Sequence, residues 1–329
     1  MSDAPEISSQ NGKLRPLISI AVLLFVVTGL YFAVRAVPLD VLGEIRSKEI
    51  VWWTVPLIAL LQIVFLVLAA EIWRRVVGIL TGVRVSLWSS YLQLAVVTVG
   101  KYVPGKVWGF VARAGEMHRQ NIPVHLSVMS SVVEQLLVIT GALLVAIAAA
   151  LVVFPSYRLA IVVVGAILLV VAIIMSTKVP ALTRWLLRRR HVHDIPDEIP
   201  GYHAKSVFGF SLAYAILWLL NGAVFCIIYF SLFEAPVSNE SVAALTLANT
   251  TGVVLGFFAF FAPGGIGVRE AIATFVLAEF VPIREALMAA VSYRAWMILI
   301  DGVNAVLILV RETQVAKREQ TSQRNSNAQ

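Results

Sequence analysis

"FFAPGGIGVREA", residues 260–271, decides how this chain is read. Three glycines and a proline fall within five residues, an arginine and a glutamate follow, and both flanks are apolar. Proline and glycine break a helix and leave main-chain N–H and C=O groups in search of partners. In water such a stretch is a turn. In a membrane it needs another explanation, so the surroundings settle its meaning.

Those surroundings are oily throughout. Of 329 residues, 59% are hydrophobic and 14% charged, with a mean hydropathy of +0.87. Soluble domains carry roughly 25% charged residues, so the composition is that of an integral membrane protein. Runs of about 20 apolar residues are long enough to span a bilayer. Six stand out, at about 17–37, 51–73, 125–153, 158–177, 206–232 and 285–310. The first exceeds a signal-peptide core and no small-residue cleavage site follows it, so it is expected to be a retained helix. The single cysteine, Cys226, lies in an apolar run and reads as a small buried hydrophobe. One thiol forms no intrachain disulfide.

Two further apolar regions, 86–119 and 241–281, are each interrupted by Pro-Gly. In the first, Pro104-Gly105 is followed by Pro123, Glu134 and Gly141; in the second, Pro263-Gly264 is followed by Pro282, Arg294 and Gly302. The proline-to-proline spacing is 19 in both, and the next charge falls 11 and 12 positions later. Each half thus reads as two helices, an interrupted region and a long helix. The expected fold is an all-α polytopic membrane protein with six full spans and two Pro-Gly-broken re-entrant hairpins. With three crossings per half, the halves form an inverted repeat, about 17–154 and 158–310, and such repeats with broken helices characterise transporters. The plainer alternative is that each Pro-Gly is an ordinary turn.

Charge supplies orientation. The net charge is +7. With the N-terminus in the cytoplasm and each hairpin entering and leaving on one side, cytoplasmic segments hold nineteen Lys/Arg and outer segments five. This is the direction of the positive-inside rule and puts both termini in the cytoplasm. "RWLLRRRHVH" (184–193) is expected at the cytoplasmic interface, as a topological anchor or as a contact for anionic lipid. The polar ends, 1–12 and 319–329, are expected to be disordered, within cytoplasmic tails spanning 1–16 and 313–329.

Non-helical backbone at membrane depth is tolerated inside protein or beside a water-filled cavity. A helix starting after each break would point free N–H groups and its positive dipole end into such a cavity. Lys101 and Lys106 flank the first break, and Arg269 follows the second. The candidate binding set for an anionic headgroup is therefore Lys101, Pro104, Gly105, Lys106 and Arg113 from the first half, and Pro263, Gly264, Gly265, Arg269 and Arg294 from the second. Glu116, Glu134, Glu270 and Asp301 are the carboxylates expected to pair with those cations or to carry a coupling proton. Glu134 and Arg294 either join across the repeat interface or find separate local partners. Arg294 and Asp301, seven residues apart, share a helix face. Arg269 and Glu270 point apart, one toward substrate and one bracing the hairpin.

Other chemistry finds little support. His118 and His125 have no zinc-ligand spacing, and "HVHDIPDE" sits in a basic loop. There is no Walker A, nucleophile elbow or HExxH motif. No enzyme activity, metal, cofactor or nucleic-acid partner is expected.

"KYVPGKVWG" (101–109), "SSVVEQLL" (130–137) and "APGGIGVREA" (262–271) resemble the lysylphosphatidylglycerol synthase transmembrane family over roughly 15–312. The resemblance implies a flippase-like region of the bacterial inner (cytoplasmic) membrane that moves lipids between leaflets. In the multiple peptide resistance factor that region precedes a synthase domain, which makes the aminoacylated lipid. The chain ends soon after its last helix, so lipid aminoacylation is not expected, and the cargo is a phospholipid or a polyprenyl-phosphate sugar. The alternative is a non-catalytic scaffold that presents lipid-linked precursors to a cell-envelope glycosyltransferase or lipid-modifying enzyme.

Overall fold

The structure, a computed structural model, describes residues 52–103, 107–189, 204–259 and 262–327. All regular structure among them is helical. The helices are α1 (Thr54–Thr81), α2 (Leu87–Gly100), α3 (Trp108–His118), α4 (Val124–Val153), α5 (Arg158–Arg189), α6 (Ala204–Leu232), α7 (Asn239–Phe258), α8 (Val268–Leu277) and α9 (Ile283–Asn327). Short 3-10 turns occupy Pro155–Tyr157 and Pro263–Gly265.

Local chemistry sets the ends. α1 stops at Gly82, whose φ of 72° closes the helix with an N–H bond to the Gly78 carbonyl. The Ser86 hydroxyl caps α2 by accepting from the Ser89 N–H, and Ser238 and Ser241 cap the start of α7 reciprocally. Pro123 and Pro282 each launch a long helix: their carbonyls accept from the Ser127 and Ala286 N–H groups at 3.0 and 3.1 Å. The two X-Pro breaks read from sequence therefore mark equivalent helix starts.

Six helices are long and apolar enough to cross a membrane: Thr54–Thr81, Val124–Val153, Pro155–Thr183, Ala204–Leu232, Asn239–Phe258 and Ile283–Val315. Five correspond to spans read from the sequence; the one expected at 17–37 lies outside the described residues. The sixth, α7, is the first arm of the second interrupted region. Its 20 residues reach about 30 Å, whereas the 14 residues of α2 reach about 21 Å. α9 runs on to Asn327, past residue 313 where the tail was expected to begin. Beyond Gly302 that segment has no glycine or proline and is rich in Glu, Gln, Lys and Arg, all good helix formers.

Among the helices, α4 lies against α7, α9 lies against α2, and α1 packs on α6. One apolar core gathers Phe225, Tyr229, Leu245, Ala248 and Ala289, and a second gathers Trp73, Leu80, Met117, Ile122 and Met129. Outward faces are apolar too: Leu60 on α1 and Leu159 and Ile167 on α5 are exposed, as suits helices bathed in lipid. Glycines allow close approach within each interrupted region. A Cβ on Gly100 would strike the Gly109 backbone between α2 and α3, and one on Gly252 would come within 2.8 Å of the Arg269 carbonyl between α7 and α8.

Candidate functional site

The two interruptions meet. The Gly264 N–H donates to the Lys101 carbonyl at 2.8 Å, so a main-chain bond joins the end of α2 to the turn before α8. Gly264 adopts φ 61°, and a Cβ there would press on the Tyr102 ring at 2.9 Å and the Arg294 guanidinium at 3.0 Å. Only glycine fits that contact without strain. The Gly264 carbonyl in turn accepts from Arg294 Nη2 at 3.1 Å. Pro104, Gly105 and Lys106, the first break itself, lie outside the described residues.

Beside this junction is a cavity of about 290 Å³. Six charged residues line it: Lys101, Glu134, Arg269, Glu270, Arg294 and Asp301. Arg294 sits eleven residues past the start of α9, roughly 17 Å along the helix, inside the stretch Ile283–Val315 that is long and apolar enough to cross a membrane. The rest of the lining is largely apolar, with Phe65, Leu217, Trp218 and Phe225 among it.

Most of these charges are paired. Asp301, fully buried, accepts at Oδ2 from Lys101 Nζ at 2.7 Å and from the Tyr102 hydroxyl at 2.6 Å. Arg294 Nε lies 3.3 Å from Glu270 Oε1, in ion-pair range though not in hydrogen-bond alignment. Arg113 Nη1 binds Glu134, while its Nε donates to the Gln93 carbonyl at 3.0 Å and its guanidinium stacks 4.2 Å from the Trp73 ring. The Gln93 side chain accepts from the Trp73 indole N–H at 2.7 Å. Glu134 and Arg294 therefore take separate partners and not each other. The pairing across the halves is instead Lys101 with Asp301.

Arg269 stands apart. Its side chain lies in a slot made by two glycines: a Cβ on Gly256 would overlap its Cγ, and one on Gly265 would sit 2.8 Å from its Nε. Among the described residues no carboxylate lies within ion-pair distance, and its buried Nε makes no hydrogen bond. A buried guanidinium with no carboxylate in ion-pair contact is costly.

Several expectations change here. Backbone N–H groups at the second tip were to receive the anion, yet those of Gly264, Gly265 and Gly267 are bonded to the Lys101 carbonyl, the Ala262 carbonyl and Glu270 Oε2. Glu270 thus caps the start of α8 at 2.7 Å, and beside it the Arg269 side chain lines the cavity. Arg113 and Glu116 were placed in the binding set, but neither lines the cavity. Arg113 stands behind Glu134. Glu116 takes both Arg311 guanidinium nitrogens at 2.6 and 2.7 Å, in a cluster with Arg119 and Glu312 that ties α3 to α9. Arg269 and Glu270, expected to point apart with one bracing the hairpin, both line the cavity, and Glu270 is the one that braces.

Among the lining residues that escaped the sequence reading, three form a cluster. Asn221 Oδ1 accepts from Asn249 Nδ2 and from the Tyr293 hydroxyl, both at 2.7 Å. This neutral polar cluster joins α6, α7 and α9 in the cavity wall. The signal was a lone asparagine in the apolar run "AILWLLNGAVF" (215–225).

The family model for the lysylphosphatidylglycerol synthase TM region matches residues 14–302, and the chain belongs to that family. Comparison with curated proteins finds no match.

Proposed function

From that family membership we propose a lipid transporter, a flippase in which a polar headgroup crosses between leaflets through the cavity while the acyl tails stay in the bilayer. The observation that carries the reading is the cavity: about 290 Å³, walled by helices long enough to cross a membrane and lined by three cationic and three carboxylate side chains from both halves. Ionisable groups within spanning segments are expensive and belong to substrate or ion pathways. The volume is at the low end for small-molecule sites, about right for a headgroup and too small for a whole lipid. In this reading the chain is not an enzyme; it moves lipids made elsewhere.

The two interrupted regions act as the hairpins of an inverted repeat. Supporting this, α4 packs on α7 as α9 packs on α2, and the tips share the Gly264–Lys101 bond. Transport then consists of one half rocking against the other about that junction. The membrane is the cytoplasmic one, with both termini inside, on the strength of the positive-charge bias.

The test is reconstitution into vesicles carrying a labelled anionic lipid in one leaflet. Faster exchange than in protein-free vesicles, under at least one imposed ion gradient, is expected; no movement under any gradient would falsify transport. The scaffold reading, with an envelope glycosyltransferase as partner, draws on the exposed Trp185, Arg188 and Arg189 at the end of α5. It prevails if those residues are essential in cells while the cavity charges are dispensable.

A further inference from the structure

α9 turns a polar stripe toward the first interrupted region. Asp301, Asn304 and Arg311 stand three and seven residues apart, which on a helix is one face. Each bonds to α2, to the two residues after it, or to α3. Asp301 takes Lys101 and the Tyr102 hydroxyl, Asn304 Oδ1 accepts from the Tyr91 hydroxyl at 2.6 Å, and Arg311 grips both Glu116 oxygens at 2.6 and 2.7 Å. From Asp301 to Arg311 is roughly 15 Å of helix.

The ladder begins in the cavity and runs to one end of the span. Lys101, Asp301 and Asn304 line the cavity, whereas Tyr91, Glu116 and Arg311 lie beyond its lining. Arg311 is close to the end of the apolar stretch Ile283–Val315. The Tyr91–Asn304 and Glu116–Arg311 rungs therefore stand between the cavity and that end.

The seam is built to part and close again. Its apolar cluster is small: Val99, Tyr102, Ile298 and Ala305 are the buried members. Little apolar surface is uncovered when it opens, which keeps the cost low. The outer rung is weakly held as well. Arg311 and Arg119 are partly exposed, so water takes over each charge as its pair breaks. α3 packs on α2 and α4 and reaches α9 through these charged side chains. At the inner rung, Asp301 keeps a buried Oδ1 that makes no hydrogen bond, an acceptor for water once the cavity fills from this side.

We propose that Asp301, Asn304 and Arg311, set against Lys101, Tyr91 and Glu116, form a gate that is shut in this structure and through which the cavity opens toward the Arg311 end of the span. The proposal rests on the transport reading above. The Gly264–Lys101 main-chain bond ties the inner end, so the seam opens from the Glu116–Arg311 rung inward.

The experiment reads access and transport separately, in membrane vesicles of both orientations. In a Cys226→Ala background, Thr98→Cys puts a thiol in the cavity wall, and its labelling by a charged, membrane-impermeant methanethiosulfonate is timed. Thr313→Cys, exposed beside the clasp, identifies the vesicles in which the Arg311 side meets the reagent. Glu116→Gln with Arg311→Gln is expected to speed cavity labelling from that side about fivefold, the shift that about 1 kcal/mol of lost closure produces. Native Cys226, buried in α6, reports general loosening and should stay slow in the same Gln pair. For transport, Glu116→Cys with Arg311→Cys is bridged by a cleavable bis-methanethiosulfonate linker. Lipid exchange should stop on linking and return on reduction. Cavity labelling that ignores the Gln pair, equal acceleration at Cys226, or exchange that continues in the linked protein overturns the gate. Its premise fails separately: faster cavity labelling in a protein that moves no lipid leaves the gate and sinks transport, whereas lipid exchange with unresponsive labelling does the reverse.

Discussion

In the first interrupted region each described Lys, Arg and Glu has a counter-charge. Lys101 reaches Asp301 in the other half, Arg113 takes Glu134, and Glu116 and Arg119 join Arg311 and Glu312. At the second tip, Glu270 takes Arg294, and Arg269 on the same helical turn takes no carboxylate among the described residues. The two regions share proline spacing and helix-start chemistry. They differ in what is left over once the local bonds are made. A paired buried charge holds helices in register, whereas an unpaired one at the same depth is available to a ligand. Sequence symmetry between the halves therefore does not imply that both halves bind.

The contrast breaks most visibly at Glu134. Glu134→Ala leaves Arg113 buried with its charge uncompensated, and should lower stability by about 3–5 kcal/mol, read as a thermal midpoint in detergent. The double change Arg113→Met with Glu134→Leu should recover most of that loss, because an apolar pair of similar volume replaces a desolvated ion pair. If the double variant is as unstable as the single, the network with Gln93 and Trp73 depends on more than charge balance.

The two cavity arginines sharpen the same comparison. Arg294→Gln removes the partner of Glu270 and the donor to the Gly264 carbonyl, so a loss of about 3 kcal/mol is expected. Arg269→Gln removes a charge with no partner, so stability should hold or rise while headgroup binding falls. Equal destabilisation by both would mean that Arg269 is structural.

The glycines that marked the repeat divide in the same way. Gly141 on α4 faces α6, where a Cβ would lie 2.8 Å from Tyr214 Cβ and from the Ala215 nitrogen; Gly302 on α9 has open space around it. Gly141→Ala should cost about 1–3 kcal/mol through overpacking. Gly302→Ala should stabilise by roughly 0.5–1 kcal/mol, the difference in helix preference. Thermal midpoints of the two variants decide this directly.

Much of the helical layout was legible because hydrocarbon thickness and proline leave plain marks. Pro123 and Pro282 start long helices where their spacing indicated. Five of the charges that line the cavity were conspicuous because charged residues are rare in apolar spans. Partners were harder to read. Arg113 finds Glu134 across 21 residues only once α3 folds against α4, and no local spacing encodes that. α7 was read as one arm of a hairpin because Pro263-Gly264 interrupts the apolar region; its polar Asn249 and Thr250 are buried against neighbours, and the Thr251 hydroxyl bonds back to the Leu247 carbonyl. The Asn221–Asn249–Tyr293 cluster went unseen because a neutral amide in an apolar run carries no charge to draw the eye.

The smallest expected effect concerns the two ends of the apolar stretch of α9, Ile283–Val315. At one end Arg311 holds Glu116 through two nitrogens, and at the other Glu285 accepts a single bond from the Tyr229 hydroxyl at 3.0 Å. Arg311 and its neighbour Arg119 are partly exposed, so water and salt weaken their bonds. Arg311→Gln should therefore lower stability by only about 1 kcal/mol, less in high salt. Tyr229→Phe should respond to salt hardly at all, since one of its partners is neutral. The swap Glu116→Arg with Arg311→Glu should recover part of the Arg311→Gln loss. If the variants respond alike to salt, the ionic clasp contributes no more to holding α3 on α9 than the Tyr229 hydroxyl does at the far end, and the division between the two halves lies in the cavity alone.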